Sequence, residues 1–138
     1  MNQIIIALGS NELPELHMEE ATAELNNLFS SIRWSPAVYT EPIACLRPFP
    51  FLNRVAIAET SLDVEELHNV FKVLEKKLGR LSTSKQTGII PIDIDLIQWN
   101  QQLLKPNDYD RVYVQEALRW QCSWHNPDKA HTARRFLR

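Results

Sequence analysis

The sequence has little glycine, little cysteine and no excess of basic charge, and each shortage excludes a class of protein. Three glycines in 138 residues leave no glycine-rich loop that could wrap around phosphate groups. Two cysteines, Cys45 and Cys122, allow one disulfide but no disulfide framework. The formal net charge is −2, whereas nucleic-acid-binding proteins usually carry an excess of basic residues. We therefore expect no nucleic-acid partner. The four histidines show no metal-ligand spacing, and there is no Gly-x-Ser-x-Gly motif.

Long apolar runs are also absent. None approaches the roughly 20 residues that span a membrane, and the N-terminus lacks the basic and apolar regions of a secretory signal. We therefore expect a cytoplasmic chain with reduced thiols and no membrane contact. A length of 138 residues, with 44% hydrophobic and 23% charged residues, predicts one folded domain over residues 1–138. We expect a monomer or weak dimer, although the sequence does not determine the oligomeric state.

The periodicity of the apolar residues predicts an α+β fold. Strand patterns cover residues 4–8, 31–40, 51–59 and 91–99, with a short strand at 103–104. Helix patterns cover residues 14–29, 63–78 and 110–120. The order β-α-β-β-α-β followed by a helix is that of a ferredoxin-like domain. We therefore predict an antiparallel sheet with helices on one face, plus a C-terminal helix.

Local signals mark the ends and the inner faces of these helices. Asp63 and Glu66 form a capping-box pattern at the start of the second helix, and Gly79 is placed to end it. In the first helix, the residues predicted to face the core are Leu16, Ala21, Leu25 and Leu28. In the third helix they are Val114, Ala117 and Leu118.

Prolines and polar stretches mark the breaks between elements. Pro36 predicts an edge position or a bulge within the strand at 31–40. Residues 41–50 contain three prolines and must form a loop, and the polar residues 80–88 are predicted to form a second loop. Loops of this kind often carry function.

Two carboxylates, Asp93 and Asp95, alternate with apolar residues in the strand at 91–99. Side chains at i and i+2 project from the same face, so the two lie about 6–7 Å apart. At that distance the two charges repel by about 2–3 kcal/mol at an effective dielectric constant near 20. A hard cation such as Mg²⁺ reverses this cost, which predicts a magnesium site. The alternative is a strand whose polar face meets water.

Three cations in or beside the loops are candidates for holding phosphate. They are Arg80, Lys85 and Arg111. Guanidinium and ammonium groups clamp phosphate oxygens through charge-assisted hydrogen bonds. The alternative is simple surface charge.

Aromatic residues near the loops suggest a site for a flat ligand. Two of Phe49, Phe51 and Tyr113 could sandwich a heterocycle. Asn53 could then present its donors and acceptor to the edge of the ring. The alternative for each aromatic residue is packing in the core.

Together these segments resemble the 6-hydroxymethyl-7,8-dihydropterin pyrophosphokinase family of folate biosynthesis. The resemblance runs from residue 4 to about residue 118. It rests on Ala7-Leu8-Gly9-Ser10-Asn11, on Tyr39-Thr40-Glu41-Pro42 with Phe51-Leu52-Asn53, on Glu75 through Leu78-Gly79-Arg80, on Pro91-Ile92-Asp93-Ile94-Asp95-Leu96-Ile97, and on Arg111-Val112-Tyr113-Val114 with Ala117-Leu118. The strand that bears the two aspartates is the most specific of these. Each segment is weak alone, but their order and spacing argue against chance.

The resemblance implies a pyrophosphoryl transfer, in which the hydroxymethyl oxygen of the pterin attacks the β-phosphorus of ATP and AMP leaves. It implies ATP as co-substrate and two Mg²⁺ ions held by Asp93 and Asp95. On the same basis, the pterin would be bound by Asn53, Phe51, Tyr113 and Pro42. The nucleotide would be bound by Glu75, Arg80 and Arg111, and the catalytic set would be Asp93, Asp95, Arg80 and Arg111. Phosphoryl transfer depends on positioning and charge neutralisation, which agrees with a sequence that shows no covalent nucleophile.

The sequence also departs from the family pattern. Ile90 stands where the family signature has an arginine, and Ser82 and Thr87 stand where its loop carries an arginine and a tryptophan. Residues 105–108 replace a Pro-His motif in a shortened segment. Losing several charge-assisted phosphate contacts could cost a few kcal/mol of binding.

Three hypotheses therefore remain at the level of sequence. The first is an active pyrophosphokinase. The second is a diverged paralogue that binds a pterin or a nucleotide with weak or no transfer. The third is a ferredoxin-like interaction module, since a fold does not determine a function.

Overall fold

The computed structural model describes residues 1–41 and 49–125, without the side chains of residues 85 and 122–125. Its strands are β1 (Asn2–Ser10), β2 (Ser31–Trp34), β3 (Val38–Thr40), β4 (Phe51–Thr60), β5 (Asp93–Trp99) and β6 (Gln102–Leu103). Its helices are α1 (Pro14–Leu28), α2 (Val64–Lys77), α3 (Ser84–Thr87), α4 (Pro106–Tyr109) and α5 (Val112–His125). The strands form one antiparallel sheet in the order β2-β4-β1-β5-β6, and β3 also pairs with β4. The predicted α+β, ferredoxin-like architecture is confirmed.

The sheet is covered on both faces, because alternate residues of its central strands are apolar on each side. Ile4, Ile6 and Leu8 of β1 belong to the main core, which also contains the buried residues of α1 and α2. Ile5 belongs to a second, smaller cluster with Val55 of β4 and the start of α5. The predicted pair of helices therefore shares one face, and the C-terminal helix packs on the other.

The predicted strand at 31–40 is divided into β2 and β3. Trp34 pairs with Ala56 and Val38 pairs with Asn53, so three residues of this edge stand opposite two of β4. Ser35 fills the gap, since its N–H donates to the Val55 carbonyl at 2.9 Å and its Oγ accepts from the Val55 N–H at 3.0 Å. Pro36, which has no N–H to donate, follows at once. The bulge predicted from Pro36 is confirmed.

The ends of α2 follow the local signals. Asp63 accepts from the Glu66 N–H at 2.8 Å, and the Glu66 carboxylate accepts from the Asp63 N–H at 3.1 Å. This reciprocal pair is the predicted capping box. Gly79 has a φ of 109°, a left-handed conformation that ends the helix at low cost.

The inner face of α1 differs from the prediction at both ends. Ala21 and Leu25 are buried as expected, together with Met18. Leu16 is 52% exposed because it lies five residues before Ala21, on the other side of the helix. Leu28 is 38% exposed because it is the last residue of the helix.

Two further segments can be compared with the prediction. Val114 and Ala117 of α5 are buried and Leu118 packs against them, as expected. The predicted loop at 80–88 contains the short helix α3, and Ser84 is buried there. The Leu81 N–H donates to Ser84 Oγ at 3.0 Å, which fixes the start of this turn. The short strand expected at 103–104 is β6, one residue earlier.

The burial of α1 predicts different costs for two similar substitutions. Leu25→Ala leaves a cavity in the core and should lower the free energy of unfolding by about 2–5 kcal/mol. Leu28→Ala removes a partly exposed side chain and should cost less than about 1 kcal/mol. Urea unfolding of the two variants and the parent chain measures both values, and equal losses would contradict the described face of α1.

Candidate functional site

A cavity of about 290 Å³ lies over the sheet where β1, β4 and β5 meet. Its position follows from strand register, because Gly9 of β1 pairs with Asn53 on one side and with Asp93 on the other. Two residues earlier, Ala7 pairs with Asp95. The predicted site residues in its wall are Asn53, Phe51, Tyr113, Arg111, Asp93 and Asp95. Three separate segments of the chain, around residues 51–53, 93–95 and 111–113, are therefore brought together at one cavity.

Asp93 and Asp95 project from β5 on the face opposite the main core. Ile94 and Leu96, which alternate with them, are buried in that core. Each carboxylate has a cation of its own. Arg80 Nη1 lies 2.6 Å from Asp93 Oδ1, and Lys105 Nζ lies 2.9 Å from Asp95 Oδ1. These cations offset the repulsion between the two negative charges.

The two aspartates differ in acidity. Burial, and then the negative charge of Asp93, raise the pKa of Asp95 to about 7. Burial also opposes the ionisation of Asp93, but hydrogen bonds with Asp95 and Arg80 outweigh it and lower the pKa of that carboxyl. The pair therefore changes its charge near neutral pH.

Glu75 and Arg80 lie behind Asp93 rather than in the cavity wall. Glu75 Oε2 accepts from the Ile94 N–H at 2.7 Å and lies 3.3 Å from Arg80 Nη1. Burial raises the pKa of Glu75 to about 7, and the Ile94 N–H opposes that rise. Arg80 also donates to the Ile92 carbonyl at 3.4 Å. In this structure the two residues hold the start of β5 and the Asp93 carboxylate in place.

The opposite wall carries the amide and the aromatic rings. Asn53 Nδ2 donates to Thr40 Oγ1 at 2.6 Å and to the Phe51 carbonyl at 3.1 Å. Its acceptor Oδ1 lies beside Gly9, where an added Cβ would stand 3.5 Å from it. Glycine at this position therefore leaves room next to the amide oxygen. Tyr113 lines the same cavity, and burial raises its pKa.

The donor set of the carboxylate pair fits Mg²⁺. Both groups are hard oxygen donors, and no histidine or cysteine that would favour a softer metal adjoins them in the described structure. No cluster of three or more potential metal-ligating side chains occurs among the side chains that the structure describes. Mg²⁺ is commonly held in this way, by one or two carboxylates, waters and substrate phosphates.

Ile90 enters the cavity wall at the position where the family signature has an arginine. Asn11 fixes its backbone: the Ile90 N–H donates to Asn11 Oδ1 at 2.7 Å, and the Ile90 carbonyl accepts from the Asn11 N–H at 3.0 Å. Ser82 and Thr87 are exposed and are not among the residues of that wall. An apolar side chain therefore lies where a phosphate-binding cation is expected.

Three residues of the site were not predicted from sequence. Lys105 pairs with Asp95, Asp108 lies 3.4 Å from Arg111 Nε in the cavity wall, and Asn11 holds Ile90. The available signals were the asparagine that ends the Gly-Ser-Asn turn and the charged residues that follow β6. Pro42, predicted to bind the pterin, lies outside the described residues, as does most of its loop.

Comparison with known proteins gives one family. A sequence model described as 7,8-dihydro-6-hydroxymethylpterin-pyrophosphokinase matches residues 5–123. A folate synthesis bifunctional protein of Arabidopsis thaliana is 32% identical over 126 residues, which cover 84% of this chain and 26% of that protein. A 2-amino-4-hydroxy-6-hydroxymethyldihydropteridine pyrophosphokinase of Porphyromonas gingivalis is 26% identical over 143 residues, covering 91% of this chain and 94% of that protein. The chain thus spans about a quarter of the plant relative and nearly all of the bacterial one. Among the described residues, no helix is both long and apolar enough to cross a membrane.

The acidity of Asp95 predicts the sign of a stability change. Its pKa of about 7 lies above the ordinary value of 3.8, so the folded state holds this proton more tightly than the unfolded chain does. The contribution of this proton to the free energy of unfolding is then lost as the pH rises from about 4 to about 7. Asp95→Asn imitates the protonated form, so we expect it to raise the free energy of unfolding of the metal-free protein by about 1–2 kcal/mol at pH 8 and little at pH 4.5.

Urea unfolding in EDTA at the two pH values measures this difference. Asp110→Asn is the matched control, because Asp110 is exposed and is not part of the cavity wall. It should change the free energy of unfolding by less than about 0.5 kcal/mol at either pH. A gain for Asp95→Asn that is the same at both pH values would contradict the described environment of Asp95.

Proposed function

Because the chain belongs to the 7,8-dihydro-6-hydroxymethylpterin-pyrophosphokinase family, we propose that it transfers the pyrophosphoryl group of MgATP to 6-hydroxymethyl-7,8-dihydropterin in folate biosynthesis. The observation that carries this proposal is the cavity itself. It combines a carboxylate pair suited to Mg²⁺ with an amide and two aromatic residues suited to a flat heterocycle. No other side-chain chemistry is required, because phosphoryl transfer rests on positioning and charge neutralisation.

The pterin end of the site is formed by Asn53, Phe51 and Tyr113. The Asn53 donor nitrogen is engaged by Thr40 and Phe51, so its acceptor oxygen is the group available to the N–H donors of the heterocycle. Phe51 and Tyr113 would lie against the two faces of the ring, and Pro42 would border it. This arrangement orients the hydroxymethyl group toward the carboxylates.

The nucleotide end is formed by the carboxylates and the arginines. Asp93 and Asp95 would hold two Mg²⁺ ions, which would supply charge neutralisation to the phosphates. Arg111, in the cavity wall beside Asp108, would hold phosphate oxygens. Glu75 and Arg80 support Asp93 from behind, and Arg80 would add its charge to the nucleotide site.

The transfer makes one bond and breaks one. The hydroxymethyl oxygen bonds to the β-phosphorus, the bond from the β-phosphorus to the oxygen it shares with the α-phosphorus breaks, and AMP leaves with that oxygen. The hydroxyl proton passes to solvent. The chain's part is to align the two substrates and to balance charge with Asp93, Asp95 and Arg111. The cytoplasmic location, the single domain, the monomer or weak dimer and the lack of a nucleic-acid partner stay predictions from the sequence.

Formation of AMP from MgATP and 6-hydroxymethyl-7,8-dihydropterin tests the proposal directly. We expect the parent chain to turn over, and Asp95→Asn to lower the rate by about 10²-fold or more, because charge stabilisation at the phosphates is lost. Asp110→Asn should keep the parent rate. A folded parent chain that binds the pterin or the nucleotide without forming AMP would favour the diverged paralogue, and one that binds neither would favour the interaction module.

Ile90 gives the diverged paralogue its specific support, because it puts an apolar side chain in the cavity wall in place of the family's arginine. Ile90→Arg should restore a charge-assisted phosphate contact and raise kcat/KM for MgATP by about tenfold. Ile89→Arg is the matched control, because Ile89 is adjacent but is not part of the cavity wall. Equal effects of the two substitutions would show that added positive charge, and not the position of Ile90, is responsible.

A further inference from the structure

We propose that Lys105 has two positions: on Asp95 when no metal is bound, and on the phosphates of the nucleotide when the site is loaded. This inference rests on the proposed function, since it requires the cavity to bind a nucleotide with a divalent cation. It assigns a phosphate-binding role to a residue in the shortened segment that replaces the family's Pro-His motif.

The backbone of Lys105 is fixed while its side chain has freedom to move. The N–H groups of Leu104 and Lys105 both donate to the Ile97 carbonyl, at 2.8 and 3.2 Å, which ties this connection to β5. Pro106 then begins α4. The Lys105 side chain is 43% exposed, and its four-carbon stem lets the ammonium group swing without any change in the backbone.

Arg80, the cation on the other aspartate, is held much more firmly. Its side chain is 24% exposed, and it contacts Asp93, Glu75 and the Ile92 carbonyl together. A planar guanidinium with several fixed partners loses all of them if it moves. Of the two cations at the carboxylate pair, Lys105 is therefore the one that can leave.

Charge gives the reason for the movement. Without a metal, the ammonium group of Lys105 stands 2.9 Å from Asp95 and offsets its repulsion with Asp93. A divalent cation on the same carboxylate repels the ammonium group and takes the oxygen lone pairs that it used. A nucleotide whose phosphates meet that cation would bring new acceptors close to the ammonium group. Asp95 and the phosphates thus compete for the ammonium group of Lys105. Binding of the metal to Asp95 shifts that group to the phosphates.

The composition of the wall indicates why this chain would need such a residue. Ile90 supplies no charge at the position of the family's arginine, while Asp108 engages Arg111. Lys105 is the remaining cation that the described structure places in contact with the carboxylate pair, beside Arg80. Its movement would restore one charge-assisted contact to the phosphates.

The test is a pair of binding measurements on Lys105→Met, which keeps the apolar stem and removes the charge. Mn²⁺ alone is titrated and the free ion is followed by electron paramagnetic resonance. Mg²⁺ with α,β-methylene-ATP is titrated by calorimetry. We expect Lys105→Met to bind Mn²⁺ several-fold more tightly, since a competing cation is gone, and to bind the nucleotide about tenfold more weakly.

Two further variants sharpen the result. Lys105→Arg should retain nucleotide affinity, because the charge is kept. Lys77→Met is the matched control, because Lys77 also forms an ion pair, with Glu24 at 2.6 Å, but outside the cavity wall. It should leave both affinities at the parent values. Thermal unfolding of each variant checks that the fold is kept.

Opposite shifts in the two affinities support the inference. Unchanged affinities, or a loss of both, with the parent chain binding the nucleotide, would overturn it and leave the proposed function intact. A parent chain that binds no Mg²⁺–α,β-methylene-ATP would overturn the proposed function and this inference with it.

Discussion

The repulsion between Asp93 and Asp95 is the constraint around which the rest of the site is arranged. Strand geometry puts both carboxylates on the same face of β5, and burial in the cavity wall raises the cost of keeping both ionised. The protein meets that cost with a cation on each carboxylate, Arg80 and Lys105. A divalent cation would offset the repulsion between these two carboxylates better than either side chain does.

The sheet also determines which groups can face each other across the cavity. The register of β1 sets Asn53 and Asp93 on either side of Gly9, so the amide that suits a heterocycle and the carboxylate that suits a metal are separated by one strand. The missing side chain of Gly9 keeps the space between them open. The two substrate ends of the proposed reaction are thus positioned by backbone pairing, which side-chain motion cannot easily disturb.

The features that depend on nearby residues could be predicted from the sequence. The two members of the capping box of α2 are three positions apart, and the two aspartates that alternate in β5 are two positions apart. The features that depend on tertiary contacts could not. The cation on Asp95 comes from a turn after β6, and the residue that holds Ile90 comes from the end of β1, 79 positions away. The pattern of apolar residues in the first helix predicts that Leu16 faces the core, but the packing of α1 against the sheet leaves it on the outer side.

Glu75 also protects the edge of the sheet, independently of any role in the reaction. A strand at the edge of a sheet presents unpaired N–H and carbonyl groups, and these can recruit a strand from another molecule. Here β6 pairs with only the last part of β5. Beyond it the Ile94 N–H is taken by the Glu75 carboxylate at 2.7 Å, and the Ile97 carbonyl is taken by the turn that leads into α4. On the other side of the sheet, the division of β2 from β3 leaves two strands of four and three residues. Both edges are therefore poor templates for aggregation, and the Glu75 carboxylate protects one of them in addition to supporting Asp93.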